Sequence, residues 1–175
     1  MSGREHYRTP FEPLLPGCDR IAYGDVDGLA ERLRSRRYAA FVVEPIQGEG
    51  GVVVPPPGYL STVQELCRES GTLLVVDEVQ TGLGRTGRLF ACDDEDVEPD
   101  VLCLAKGLSG GVMPIGACLA TTDAWERAYG RRDTAMLHTS TVGGNVRSSS
   151  PSPSPPVASR SVPGTTAICP SCSTS

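Results

Sequence analysis

LLVVDEVQTGLGRTG, residues 73–87, runs four apolar residues straight into two acids and then into a loop rich in glycine. Leu73, Leu74, Val75 and Val76 show no polar alternation, the pattern of a parallel strand covered on both faces. In open α/β sheets, ligands gather outside the carboxyl ends of such strands, so Asp77 is a candidate ligand contact. Taken alone, an acid in this position is an ordinary turn or capping residue.

Working outward, FVVEP (41–45) reads as a second strand, and GYLSTVQELCRES (58–70) as a helix closed by Gly71. DVLCLA (100–105) and PIGACLAT (114–121) supply two more strands, the latter followed by a helix that Thr122 or Asp123 would cap. Asp25 is placed to cap a short helix in VDGLAERLRSRR (26–37). Strands alternating with helices imply an α/β fold with a mainly parallel sheet and helices on both faces.

The composition excludes several classes. With 175 residues, 39% hydrophobic, and a formal charge of −5, the chain has one ordinary core and no basic surface suited to nucleic acid. The densest basic cluster, Arg34, Arg36 and Arg37, falls at an expected helix end, where cations favour the dipole. No apolar run is long enough to span a bilayer, and MSGREHYRTPFEP lacks a signal-peptide core; a cytoplasmic protein is expected. The seven cysteines are scattered, and Cys67, Cys92, Cys103 and Cys118 read as small buried hydrophobes rather than a disulfide set. Cys169 and Cys172 form a C-x-x-C with no second ligand pair, so no metal site is expected.

Near Asn145 the character changes. Residues 147–175 hold ten serines, six prolines, two arginines and no acids, too little apolar surface to offset the entropy of ordering. The reading is therefore a domain over 1–145 and a Ser/Pro-rich, low-complexity, disordered tail over 146–175.

Lys106, in DVLCLAKGLSGG, lies 29 residues after Asp77 and likewise just past an apolar strand. An acid and a lysine at neighbouring strand ends face one crevice. Pyridoxal phosphate uses both, the lysine in a Schiff base and the acid on the pyridine nitrogen, which it keeps protonated so that the ring can accept electrons. Gln80 stands three residues beyond Asp77, within reach of the ring hydroxyl.

Together with VVEPIQGEGGVVVPPPGYL and HTSTVGGN, these segments resemble the class III aminotransferases, pyridoxal-phosphate enzymes of fold type I that include acetylornithine, ornithine and putrescine aminotransferases. The resemblance covers most of residues 1–145 and none of the tail. It implies that Asp77 pairs with the pyridinium, that Gln80 lies near the ring hydroxyl, and that Lys106 carries the Schiff base. It also implies that Thr141 contacts the cofactor phosphate across a homodimer interface and that Glu49 lines the substrate pocket. The implied reaction moves an amino group from an amino acid or ω-amine donor to a keto acid. Lys106 is displaced by the donor and then serves as the general base at its Cα.

Members of that family are far longer. Upstream they carry a Gly/Ser phosphate loop, and downstream a small domain with an arginine for the substrate carboxylate; neither has a counterpart in this sequence. The chain thus reads as an incomplete copy, a fragment or a frameshifted frame. Two other readings stay open: a noncatalytic remnant or complementing subunit, and another fold type I chemistry such as aminomutase, racemase or decarboxylase.

Overall fold

The computed structural model describes residues 4–134 and 165–169. In chain order the elements are α1 (Glu5–Arg8) with a 3-10 turn Thr9–Phe11, α2 (Val26–Leu33), β1 (Ala40–Val43), α3 (Tyr59–Ser70) and β2 (Leu73–Asp77). A 3-10 turn Ala91–Glu95 follows, then β3 (Val101–Leu104), a 3-10 turn Lys106–Ser109, β4 (Ala117–Thr121), α4 (Thr122–Tyr129) and β5 (Thr165–Cys169). The strands lie side by side in the order β1-β2-β3-β4-β5. β1, β2 and β3 are parallel, and β4 returns antiparallel to β3. A mainly parallel α/β arrangement is what the alternation of patterns implied. The connection from β3 to β4, residues 105–116, holds only the 3-10 turn and returns the chain antiparallel.

Helix boundaries follow local chemistry. Asp25 Oδ1 accepts from Gly28 N at 2.9 Å and starts α2, as expected. The helix stops at Leu33, short of the expected Arg37, because Arg36 adopts a left-handed φ of 51°. Gly71 ends α3 with φ 75°, a conformation that costs glycine little. α4 is capped by Thr121, whose hydroxyl accepts from Ala124 N at 3.3 Å; the expected caps, Thr122 and Asp123, lie inside its first turn.

The core lies on one face of the sheet. Leu74 and Val76 of β2 and Val43 of β1 are buried beneath α3, which contributes Leu60, Val63 and Cys67; α2 adds Leu29 and Leu33. The other face of β2, Leu73 and Val75, is half-buried, and Val42 beside it is 39% exposed. The uniform apolar run therefore hides a strand with two unequal faces, since among the described residues α2 and α3 pack on one face only. Within the low-complexity tail, Thr165–Cys169 pairs antiparallel with β4. The whole tail's composition pointed to no regular structure, but this stretch lacks serine and proline and is rich in β-formers. No helix among the described residues is long and apolar enough to cross a membrane.

Leu74 is 1% exposed, so Leu74→Ala should lower the unfolding free energy by about 2–5 kcal/mol in a urea titration, through lost transfer energy and a residual cavity. Val42→Ala, on the open face, should change it by about 0.5 kcal/mol or less.

Candidate active site

Parallel pairing aligns the carboxyl ends of β2 and β3. Val75 pairs with Val101 and Asp77 with Cys103, so the chain leaving β3 reaches Lys106 three residues beyond the level of Asp77. The register is held at the other end as well, where Asp100 Oδ2 accepts from Leu74 N at 2.8 Å. Both strand ends thus open onto the same edge.

The two acids that end the apolar run separate in role. Asp77 is half-buried and its Oδ1 accepts from Val79 N at 3.0 Å, so one carboxyl oxygen shapes the turn out of β2. Glu78 is 1% exposed: its Oε1 accepts from Cys92 N at 2.8 Å, and its Oε2 accepts from the Thr81 hydroxyl. Its own N–H donates to Cys103 O at 2.9 Å. Glu78 ties the loop after β2 to the turn at Ala91–Glu95 and to β3. Burial beside this carboxyl group also holds the Cys92 thiol above its ordinary pKa. The sequence reading passed over Glu78, because nothing in a linear pattern shows that an acid beside a strand end turns inward.

Gln80 and Lys106 meet. Lys106 Nζ donates to Gln80 Oε1 at 2.6 Å, across a cavity of about 740 Å³ whose walls include Ile46, Gly48, Thr81 and Thr86. Lys106 has a φ of 46°, in the left-handed region that non-glycine residues avoid, at a cost on the order of 1–3 kcal/mol. It is the sole lysine of the sequence, every other member of the basic set being arginine.

Gln80 can take up this position because residue 48 is glycine. A Cβ there would lie 2.6 Å from the Gln80 amide. The loop that carries Gly48 is closed by reciprocal hydrogen bonds between Gln47 and Val53, both 3.0 Å, and Glu44 Oε2 accepts from Gly48 N at 2.9 Å. Thr86, another residue missed in the sequence, has a buried hydroxyl oxygen with no hydrogen-bond partner among the described residues. A buried hydroxyl without a partner is an unsatisfied polar group, which native folds seldom keep.

The other expected site residues are placed differently. Asp77 ends its strand at the same edge but does not line the cavity, and neither does Glu49. Glu49 is exposed, and its backbone carbonyl accepts from the Arg4 guanidinium. Thr141 lies outside the described residues.

Comparisons with known proteins agree on the family. A family model described as Aminotransferase class-III matches residues 1–150. The aminotransferase PigE of Serratia sp. (strain ATCC 39006) is 56% identical over 144 residues, which is 82% of this chain and 17% of that protein. The ornithine aminotransferase of Toxoplasma gondii, whose structure has partial occupancy of PLP at the active site, is 52% identical with a TM-score of 0.70, over 77% of this chain and 30% of that one. An (S)-enantioselective omega-transaminase from Thermomicrobium roseum is 34% identical with a TM-score of 0.73, over 81% of this chain and 36% of that one. The chain therefore spans about a sixth to about a third of the length of these relatives.

Two stability measurements test the site's construction. Glu78→Ala should cost about 1–3 kcal/mol by leaving the Cys92 N–H unpaired in the interior, and Glu78→Gln less, because an amide can still accept from Cys92 and donate to Thr81. Lys106→Gly should be more stable than Lys106→Ala by about 1 kcal/mol, since only glycine adopts this φ without strain.

Proposed function

The chain belongs to the class III aminotransferases, and on that premise we propose that it carries the cofactor edge of a pyridoxal-phosphate-dependent transaminase. The reaction would move an amino group from an amino acid or ω-amine donor to a keto acid. The observation that carries this reading is the placement of the sole lysine: Lys106 Nζ lies 2.6 Å from Gln80 Oε1 across a cavity at the sheet edge where Asp77 ends β2.

The residues present suit the cofactor. Lys106 would hold it through Nζ, Gln80 would stand beside the ring hydroxyl, and Asp77 would place a carboxyl group at the pyridine nitrogen. A side chain at position 48 would displace the Gln80 amide from its present place beside Lys106.

When bound, pyridoxal phosphate supplies an electron sink conjugated to the substrate Cα. The remaining tasks fall to the chain. Gln80 accepts a hydrogen bond from Lys106 and so fixes the direction of the amine, which reduces the freedom lost on reaching a reactive pose. Lys106 Nζ removes the proton from the donor Cα and returns it, as a general base must from within hydrogen-bond reach. One Asp77 oxygen is engaged by Val79 N, which orients the carboxyl group at the strand end. Thr141, contributed by a second copy in a homodimer, would contact the phosphate, and Glu49 would face the substrate from its exposed loop. In this reading residues 1–145 are part of a cofactor-binding large domain, and the reaction is that of the family's whole fold.

The test is an absorbance titration of the chain with pyridoxal phosphate, followed by borohydride reduction and peptide mapping. The expected result is a visible band and a reduced adduct on Lys106, both absent in Lys106→Ala and weakened in Asp77→Asn. As the chain has no second lysine, the only competing amine is the N-terminal one. Label confined to that amine, or no band, would refute the assignment of Lys106. Keto-acid-dependent amino transfer, assayed against donor racemisation, separates transamination from the other fold type I chemistries.

A further inference from the structure

We propose that Cys103 of β3 and Cys118 of β4 form a reversible intramolecular disulfide across the antiparallel pair. Neither residue is part of the cavity described above, and the inference is independent of the transaminase reading.

The register places the two opposite each other, with Leu102 against Leu119 and Leu104 against Ala117 on either side. Thr121 N donates to Asp100 O at 2.9 Å, which makes Asp100 and Thr121 a hydrogen-bonded pair one step beyond this register. Such pairs alternate along an antiparallel ladder, so Leu102–Leu119 and Leu104–Ala117 are hydrogen-bonded and Cys103–Cys118 is not. Non-hydrogen-bonded pairs bring their Cα atoms to about 4.5 Å with side chains close together. That separation falls within the range of roughly 4.4–6.8 Å that a disulfide spans.

Neither cysteine is in a disulfide. Interaction with the neighbouring Cys103 draws the Cys118 thiol down to about 7 against partial burial, which acts the other way. Cys118 is exposed, and Cys103 is half-buried behind it. Of the other cysteines with described side chains, Cys18 is exposed as well, and the remaining two are protected. Cys67 and Cys92 are buried in the core, and burial pushes Cys67 up to about 11. An exposed, partly ionised thiol beside a second thiol is the arrangement that disulfide exchange uses, one sulfur attacking and the other resolving.

The exchange balances with a small organic disulfide as oxidant. The Cys118 thiolate attacks one sulfur of the reagent, breaking its S–S bond and releasing one thiolate. Cys103 then loses its proton and attacks the Cys118 sulfur, forming the Cys103–Cys118 bond and releasing the second thiolate. The protein gives up two electrons and two protons, and the reagent leaves as two thiols. The new bond closes a loop that contains the turn Lys106–Ser109, so its formation ties down the segment bearing the sole lysine.

The experiment treats the reduced full chain with 2-hydroxyethyl disulfide near neutral pH and maps disulfides in unreduced digests against time. The expected product is a linked Cys103–Cys118 peptide that forms before Cys67 or Cys92 reacts and is reversed by dithiothreitol. In Cys103→Ala, Cys118 should instead accumulate as the mixed disulfide, formed several-fold more slowly, since the lowering of its pKa by Cys103 is lost and only partly offset by the greater nucleophilicity of a more basic thiolate. Three results would overturn the proposal: a mixed disulfide on Cys118 that persists in the unsubstituted chain, a bond from Cys118 to Cys169, its partner in the β4–β5 backbone register, or reaction of the core cysteines first.

Discussion

Side chains alternate along a strand, and burying Leu74 and Val76 beneath α3 obliges Leu73, Val75 and Asp77 to point the other way. A slip of one residue in the pairing of β2 would turn Asp77 into the core and lift Leu74 out of it. The strand is pinned against such a slip on both sides. β1 and β3 pair with it in parallel, and the Asp100 side chain takes the Leu74 N–H at its start. Every feature of the candidate site inherits this register. Lys106 emerges beside the end of β2 only because Asp77 and Cys103 share a level.

Beyond the strand ends, the site is held by groups that do no chemistry. Glu78 is enclosed in the interior with both oxygens engaged, which a buried acid requires if it is not to destabilise the fold. Its partners, Thr81 and Cys92, fix the path of the loop that carries Gln80. The Gly48 loop closes the cavity from the β1 side, through the Gln47–Val53 bridge and the Glu44 side chain. Lys106 is then held in a left-handed conformation next to Gln80, a local strain that the surrounding hydrogen bonds sustain.

Much of the architecture could be read from the chain alone. β3 and β4 lie within the stretches marked for them, β2 runs one residue past its apolar run, and β1 starts at Ala40, one residue before FVVEP, and ends at Val43, two residues before its end; Asp25 and Gly71 bound their helices by the side-chain and backbone chemistry that marked them. The sequence placed Asp77 and Lys106 at neighbouring strand ends, and parallel pairing does bring those ends to one edge; that Lys106 meets Gln80 there, while Asp77 stays out of the cavity wall, was not legible. Less visible was the helix cap of α4: Thr121, Thr122 and Asp123 are adjacent and all able to cap, and only the exit angle of β4 selects Thr121. The sequence also treated four cysteines as equivalent. Their apolar neighbours are alike, but Cys67 and Cys92 lie under the core while Cys118 stands on the open face.

What the sequence by itself determined is the set of properties carried by local pattern: the α/β class, the strand and helix segments, the identity of the one lysine, and the family motifs around it. Periodicity, capping chemistry and motif spacing act over a few residues and survive in a linear reading. Which of two adjacent acids turns inward, which face of β2 stays open, and which cysteines stand opposite one another were decided only in the tertiary structure. Those choices depend on contacts between segments far apart in the chain, such as Glu78 with Cys92 or Cys103 with Cys118, and strand register and burial set them, not the neighbours in sequence.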